Sequence, residues 1–130
     1  MAIICALAVG VVPAASGATG DLAVTVARLK VPTKIVRGEQ TSFVVRYVVR
    51  GPADKRASAT VTLTLKGSAN RYQFVSRPAT VRPAIWSWSV TDSLPKTLST
   101  GKYSVIARVT LKRSGKLVGH TSATVKATIS

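Results

Sequence analysis

Side chains that do chemistry are scarce in this chain. Its 130 residues hold one cysteine, one histidine and four carboxylates: Asp21, Glu39, Asp54 and Asp92. Zinc takes several thiolate or imidazole ligands and calcium takes clustered carboxylates, so both sites fail on inventory. The four acids are scattered over turns and strand ends, where Asp often forms turns, and their spacing suggests no glycosidase-type pair. His120, between Gly119 and Thr121, has no Ser-His-Asp constellation around it and reads as a surface residue of a strand. G-x-S-x-G and glycine-rich phosphate loops are missing. The expectation is no enzyme, with no catalytic, metal-ligating or cofactor-binding residues. The one Asn, Asn70, precedes Arg71-Tyr72, so no N-glycosylation sequon occurs. Aromatics make up 5% of the chain.

Positive charge is abundant. Nineteen Lys and Arg against four acids give a net charge of +15 and a pI near 11.3. None of it lies in the first twenty residues. Ala2 to Val12 is a nearly continuous apolar run followed by Pro13 and the small residues Ala14-Ala15-Ser16-Gly17-Ala18. That run has the size of a signal-peptide core and is too short for a bilayer span of about 20 residues. The sequence therefore predicts a cleaved signal peptide over 1–18, with cleavage after Ser16 or Ala18, and a single domain over 19–130. No Lys or Arg precedes the run, which leaves open a start upstream of Met1; a tail of a cytoplasmic protein is the alternative reading. Cys5 follows Ala2-Ile3-Ile4, which is no lipobox, and cleavage would leave a mature domain without cysteine. A mature chain of this size needs neither disulfides nor metal to fold. No later segment is apolar enough to be transmembrane. The expected location is outside the cytoplasm, secreted or associated with the cell envelope.

From Asp21 onward the apolar period is two. The 19 Val and 15 Thr are β-branched and suit a pleated surface. Ala59 to Lys66 alternates most cleanly, with Ala59, Val61, Leu63 and Leu65 against Thr60, Thr62, Thr64 and Lys66. Similar patterns mark Leu22–Val26, Thr41–Arg50, Ile85–Thr91, Tyr103–Leu111 and Leu117–Ile129, and Tyr72–Val75 is a short strand before Pro78 and Pro83. Turn residues separate them. Seven short strands without a helix predict an all-β, two-sheet sandwich of immunoglobulin-like type.

Several segments carry a more particular likeness. These are Asp21-Leu22-Ala23-Val24, the Arg37-Gly38-Glu39 turn before a valine-rich strand, and Gly101-Lys102-Tyr103-Ser104-Val105. Over residues 21–129 the chain resembles bacterial secreted immunoglobulin-like domains, in particular their CARDB-like, cell-adhesion-related branch. The resemblance implies a tyrosine corner at Tyr103, whose hydroxyl would bond upstream backbone. It places Val105 where antibody-type domains carry their second cysteine. It departs in having no inter-sheet disulfide and in placing both Trp late in the chain. Domains of this kind serve as spacers, adhesive modules or partner-binding modules, so the resemblance implies a structural, adhesive or protein-interaction role at the envelope.

Trp86 and Trp88 share a strand face with Val90, while Ser87 and Ser89 point the other way. The pattern favours core packing over an exposed platform for sugar rings. The strand phases put Lys66, Arg108, Lys112 and Lys126 on outward positions of neighbouring strands, with Arg113 and Lys116 at the last hairpin. These six are the candidate contacts for an anionic ligand, whether teichoic acid, lipopolysaccharide or acidic polysaccharide. The competing reading is that the charges solvate the fold and keep sheet edges from pairing. Another surface protein is the other expected class of partner. Sequence-specific nucleic-acid binding is not expected without a recognition helix. Ile85-Trp86-Ser87-Trp88-Ser89 also resembles a tryptophan motif of a small family of bacterial protease inhibitors, which supplies a third, remote reading.

Overall fold

A computed structural model describes residues 21–130; the segment expected to be a signal peptide, with Cys5, Ser16 and Ala18, lies outside the described residues. The described chain is all-β. Its nine strands are β1 (Ala23–Lys30), β2 (Lys34–Ile35), β3 (Gln40–Arg50), β4 (Ala57–Lys66), β5 (Arg71–Val75), β6 (Ala79–Val81), β7 (Ala84–Ser93), β8 (Gly101–Arg113) and β9 (Lys116–Ile129). They form two sheets. The smaller runs β1-β3-β7 and is antiparallel throughout. The larger runs β2-β9-β8-β4-β5, with β6 pairing to the other end of β4 on the edge shared with β5.

The seven segments expected as strands overlap seven of these nine. The additions, β2 and β6, are two and three residues long. β6 lies between Pro78 and Pro83, in a region the sequence assigned to an edge or loop; it pairs Ala57 with Val81 and seats that valine in the core at 1% exposure. β2 runs parallel to the end of β9. There the Thr128 and Ser130 amides donate to the Thr33 and Ile35 carbonyls, and the Arg37 amide donates to the Ser130 carbonyl.

The inner faces of both sheets meet in one apolar core. Phe43 of the smaller sheet stands 5.6 Å, centroid to centroid, from Phe74 of the larger, and Tyr72 meets Phe74 edge-on at 5.2 Å. Leu63, Leu65, Val105, Val109 and Leu111 are fully buried. Burying one such aliphatic side chain is worth about 1.5–3 kcal/mol. Burial also pushes the Tyr47 phenol above its usual pKa, because desolvation penalises the phenolate.

Turn chemistry fixes the last hairpin. Ser114 and Gly115 both adopt positive φ, 53° and 78°, the geometry that lets a two-residue loop follow the twist of β8 and β9. Past this turn the β8–β9 register shifts between Leu117 and Gly119, a bulge that realigns the rest of the ladder. Among the described residues no helix is long and apolar enough to cross a membrane.

Candidate cationic site

Three lysines converge at the end of the larger sheet where β4 and β9 finish and β8 begins. Pairing sets Lys66 opposite Ser104, and Ser104 opposite Lys126, so the three residues form one rung across β4, β8 and β9. Lys102 lies two residues before Ser104 on the same face and pairs with Thr128. An open cavity of about 750 Å³ is lined by Lys66, Lys102 and Lys126, by the hydroxyl-bearing Thr33, Ser68, Ser104 and Thr128, and by Tyr103. None of its lining residues is acidic. The Lys126 ammonium donates to Ser104 Oγ at 2.7 Å, which holds one cation in place across the rung.

The floor of this cavity is rigid for identifiable reasons. Tyr103 is 2% exposed, and its hydroxyl donates to the Ser99 carbonyl at 2.7 Å, the upstream backbone bond expected of a tyrosine corner. Its ring lies against Gly67: a Cβ there would come within 2.7 Å of ring carbon Cε2, so the β4–β5 turn passes this point only as glycine. The Asn70 side-chain oxygen accepts from the Ser99 amide at 2.6 Å, tying the same turn to the loop before β8.

The six candidate cations do not form one group. Lys66 and Lys126 share the cavity. Arg108 sits further along β8, between Thr62 and Ser122, about 13 Å from Ser104 by strand rise. Lys112 and Lys116 are exposed near the far hairpin. Arg113, paired with Lys116, is engaged within the fold: its Nη1 donates to Asp21 Oδ1 at 2.9 Å and its Nε donates to the Arg56 carbonyl at 3.0 Å. This is the only salt bridge among the described residues. The Leu22 amide and then the Arg113 guanidinium hold the Asp21 carboxyl below its usual pKa. Lys102 was absent from the sequence-based set, although it shares strand parity with Arg108 and Lys112. Arg71 joins the rung from β5, directly opposite Lys66.

No strand of the larger sheet carries Asp or Glu, while all of them except β6 carry Lys or Arg. Lys66 and Arg71 are like charges in direct cross-strand register, an arrangement that costs stability. His120 is exposed on β9 opposite Thr110, and among the described residues no three His, Cys, Asp or Glu side chains lie close enough to hold a metal ion. Trp86 and Trp88 lie on the inward side of β7, half-buried against the core, and the Trp86 indole N–H donates to the Arg82 carbonyl at 2.8 Å. Ser87 and Ser89 are exposed on the other side.

No family model matches the chain, and no curated protein does. Among solved structures it is similar to the superoxide reductase of Ignicoccus hospitalis, at 15% identity and TM-score 0.48 over 82% of each chain. It is similar to a putative late embryogenesis abundant protein at 9% identity and TM-score 0.48, over 82% of this chain and 70% of that one. It also resembles the alkylpurine DNA glycosylase AlkC of Pseudomonas fluorescens, solved with DNA containing an abasic site analog, at 12% identity and TM-score 0.51. That last match covers 85% of this chain and 30% of the glycosylase, and at such identity the likeness is one of fold alone.

Proposed function

We propose that the chain is an exported, non-enzymatic β-sandwich module of the immunoglobulin-like, CARDB-like type that attaches to the cell envelope by holding an anionic polymer on the outer face of its larger sheet. The observation that carries this reading is the convergence of Lys66, Lys102 and Lys126 on one acid-free cavity. Three ammonium groups amid hydroxyls suit successive phosphate or sulfate groups of a polymer: the charges supply attraction and the hydroxyls supply hydrogen bonds. The uncharged apolar residues 1–18 support export, which would bring the module into contact with such polymers. Adhesion follows from the same contact, with the polymer as the attached surface.

The Lys66–Arg71 pair adds a second signature. Repulsion between them weakens the free protein, and a bound anion placed between them removes it. Lys66→Gln is therefore expected to stabilise the free fold by about 0.2–1 kcal/mol while weakening binding. The test is elution from immobilised polyphosphate in a salt gradient. The wild type should elute late, Lys66→Gln/Lys126→Gln clearly earlier, and the hairpin variant Lys112→Gln/Lys116→Gln only slightly earlier. Equal shifts for the two double variants would reduce the site to diffuse surface charge, and an unretained wild type would refute the reading.

A further inference from the structure

Edges of β-sheets expose unpaired N–H and C=O groups, and proteins commonly blunt them with Lys, Pro or bulges. Three of the four outer edges here are blunted or short. β1 ends in Arg28 and Lys30 and has a register shift between Val26 and Arg28. β2 is two residues long and covers only Thr128 and Ile129 of β9; the rest of that β9 edge carries Lys116, Lys126 and the register shift between Leu117 and Gly119. On the β5/β6 edge, β5 opens with Arg71, and Pro78 lies between the two short strands. β7 has none of these features: its ten residues contain no Lys, Arg or Pro, its ladder to β3 is continuous, and β3 is its one hydrogen-bonded neighbour. Ile85, near its start, is 70% exposed, the most of any large apolar residue described.

The charges flanking this edge are self-complementary. Asp92 is the single charged residue of β7, and Arg82 stands just before it, on the far side of Pro83. Neither makes a salt bridge among the described residues. Consider two copies of β7 running antiparallel, centred on Ser87. Each Arg82 then comes to the end of the strand where Asp92 of the second copy lies, and each Trp86 stands opposite Trp88 of that copy. The half-buried indoles would cover one another's open margins. Repulsion between two polycations argues against most modes of self-association, and β7 is the long edge that carries no cation of its own. Arg46, which flanks Ser87 on β3, would stand about 14 Å, three strand spacings, from its counterpart. That separation exceeds the Debye length of about 8 Å at 0.15 M salt.

We propose that β7 is a homodimerisation edge: two copies of this chain join β7 to β7 in antiparallel register about Ser87, extending the smaller sheet across a two-fold axis, with Arg82 and Asp92 setting the register. The test is sedimentation equilibrium of the purified protein at 0.15 M salt, with circular dichroism to establish that each variant is folded. The wild type is expected to dimerise. Arg82→Asp and Asp92→Arg should each weaken the dimer about tenfold or more by replacing two attractions with two repulsions. The double swap, Arg82→Asp/Asp92→Arg, should restore it. Ser87→Lys, which would set two ammonium groups together on the axis, should give a monomer. A wild type that stays monomeric, or a folded double swap that stays as weak as the single variants, would overturn the proposal. Lys66→Gln/Lys126→Gln should dimerise like the wild type, so this edge and the cationic site stand or fall separately.

Discussion

In the larger sheet, β4 alternates Ala59, Val61, Leu63 and Leu65 with Thr60, Thr62, Thr64 and Lys66. In the smaller, β3 alternates Phe43, Val45, Tyr47 and Val49 with Val44, Arg46, Val48 and Arg50. Both inner sets are almost wholly buried. The difference lies in what surrounds these strands. β4 and β8 sit side by side in the larger sheet, each with neighbours on both edges, and even the outward-facing Thr64 is 7% exposed between Ile106 and Gln73. β3 is the smaller sheet's one interior strand, so the inward Trp86, Trp88 and Val90 of β7 remain half-buried despite equally clean alternation. Alternation decides which way a side chain points; the number of neighbouring strands decides how far it leaves water.

Truncating matched inward positions offers the hardest test of that contrast. Leu63→Ala, in the middle of β4, should lower unfolding free energy by about 2–5 kcal/mol. Val90→Ala, inward on β7, should cost about 1 kcal/mol, since its side chain is only partly withdrawn from water. Equal losses in urea denaturation would erase the distinction between the sheets. A smaller effect probes what joins them. Arg37 lies in the turn leading into β3, and its guanidinium donates to the Lys96, Leu98 and Ser130 carbonyls, the last just beyond β9. Arg37→Ala should cost about 1–3 kcal/mol, and Arg37→Lys should recover only part of it, because an ammonium lacks the planar fork.

The smallest effect concerns Asp21, which ties the start of the smaller sheet to Arg113 at the end of β8. Its carboxyl pKa is lower folded than unfolded, so its contribution is present above the unfolded value near 3.8. That contribution disappears as pH falls through the lower folded value. Both side chains are partly exposed, so the pair is worth under about 1 kcal/mol. Asp21→Asn should be slightly less stable than wild type at pH 7, and the deficit should shrink as pH is lowered below 3.8. A deficit unchanged over that fall in pH would mean that ionisation of Asp21 contributes nothing.

Much of this architecture was legible in the sequence because strand period exposes facing directly. Lys66, Arg108, Lys112 and Lys126 all lie on the outer face that their parity predicts. Grouping was less legible. Lys66 meets Lys126 through a rung fixed by the registers of two separate strand pairs, and the alternation of one strand says nothing about its register with the next. The engagement of Arg113 was hidden for a similar reason, since its partner Asp21 is 92 residues away. β2 and β6 are too short to show a period, and prolines bracket β6. The half-exposure of Trp86 and Trp88 depends on β7 being an edge, a property of the assembled sheet.

The parallel pairing of β2 with β9 has a mechanical consequence. Tension that draws residue 33 away from residue 130 acts along these two strands, so it slides one past the other instead of peeling them apart. The amides of Thr128, Ser130 and Arg37 then resist the pull together, with the Arg37 guanidinium adding a further bond to the Ser130 carbonyl. Bonds strained in concert yield at a higher force than bonds opened singly. A two-residue strand thereby gives the end of the larger sheet a shear clamp.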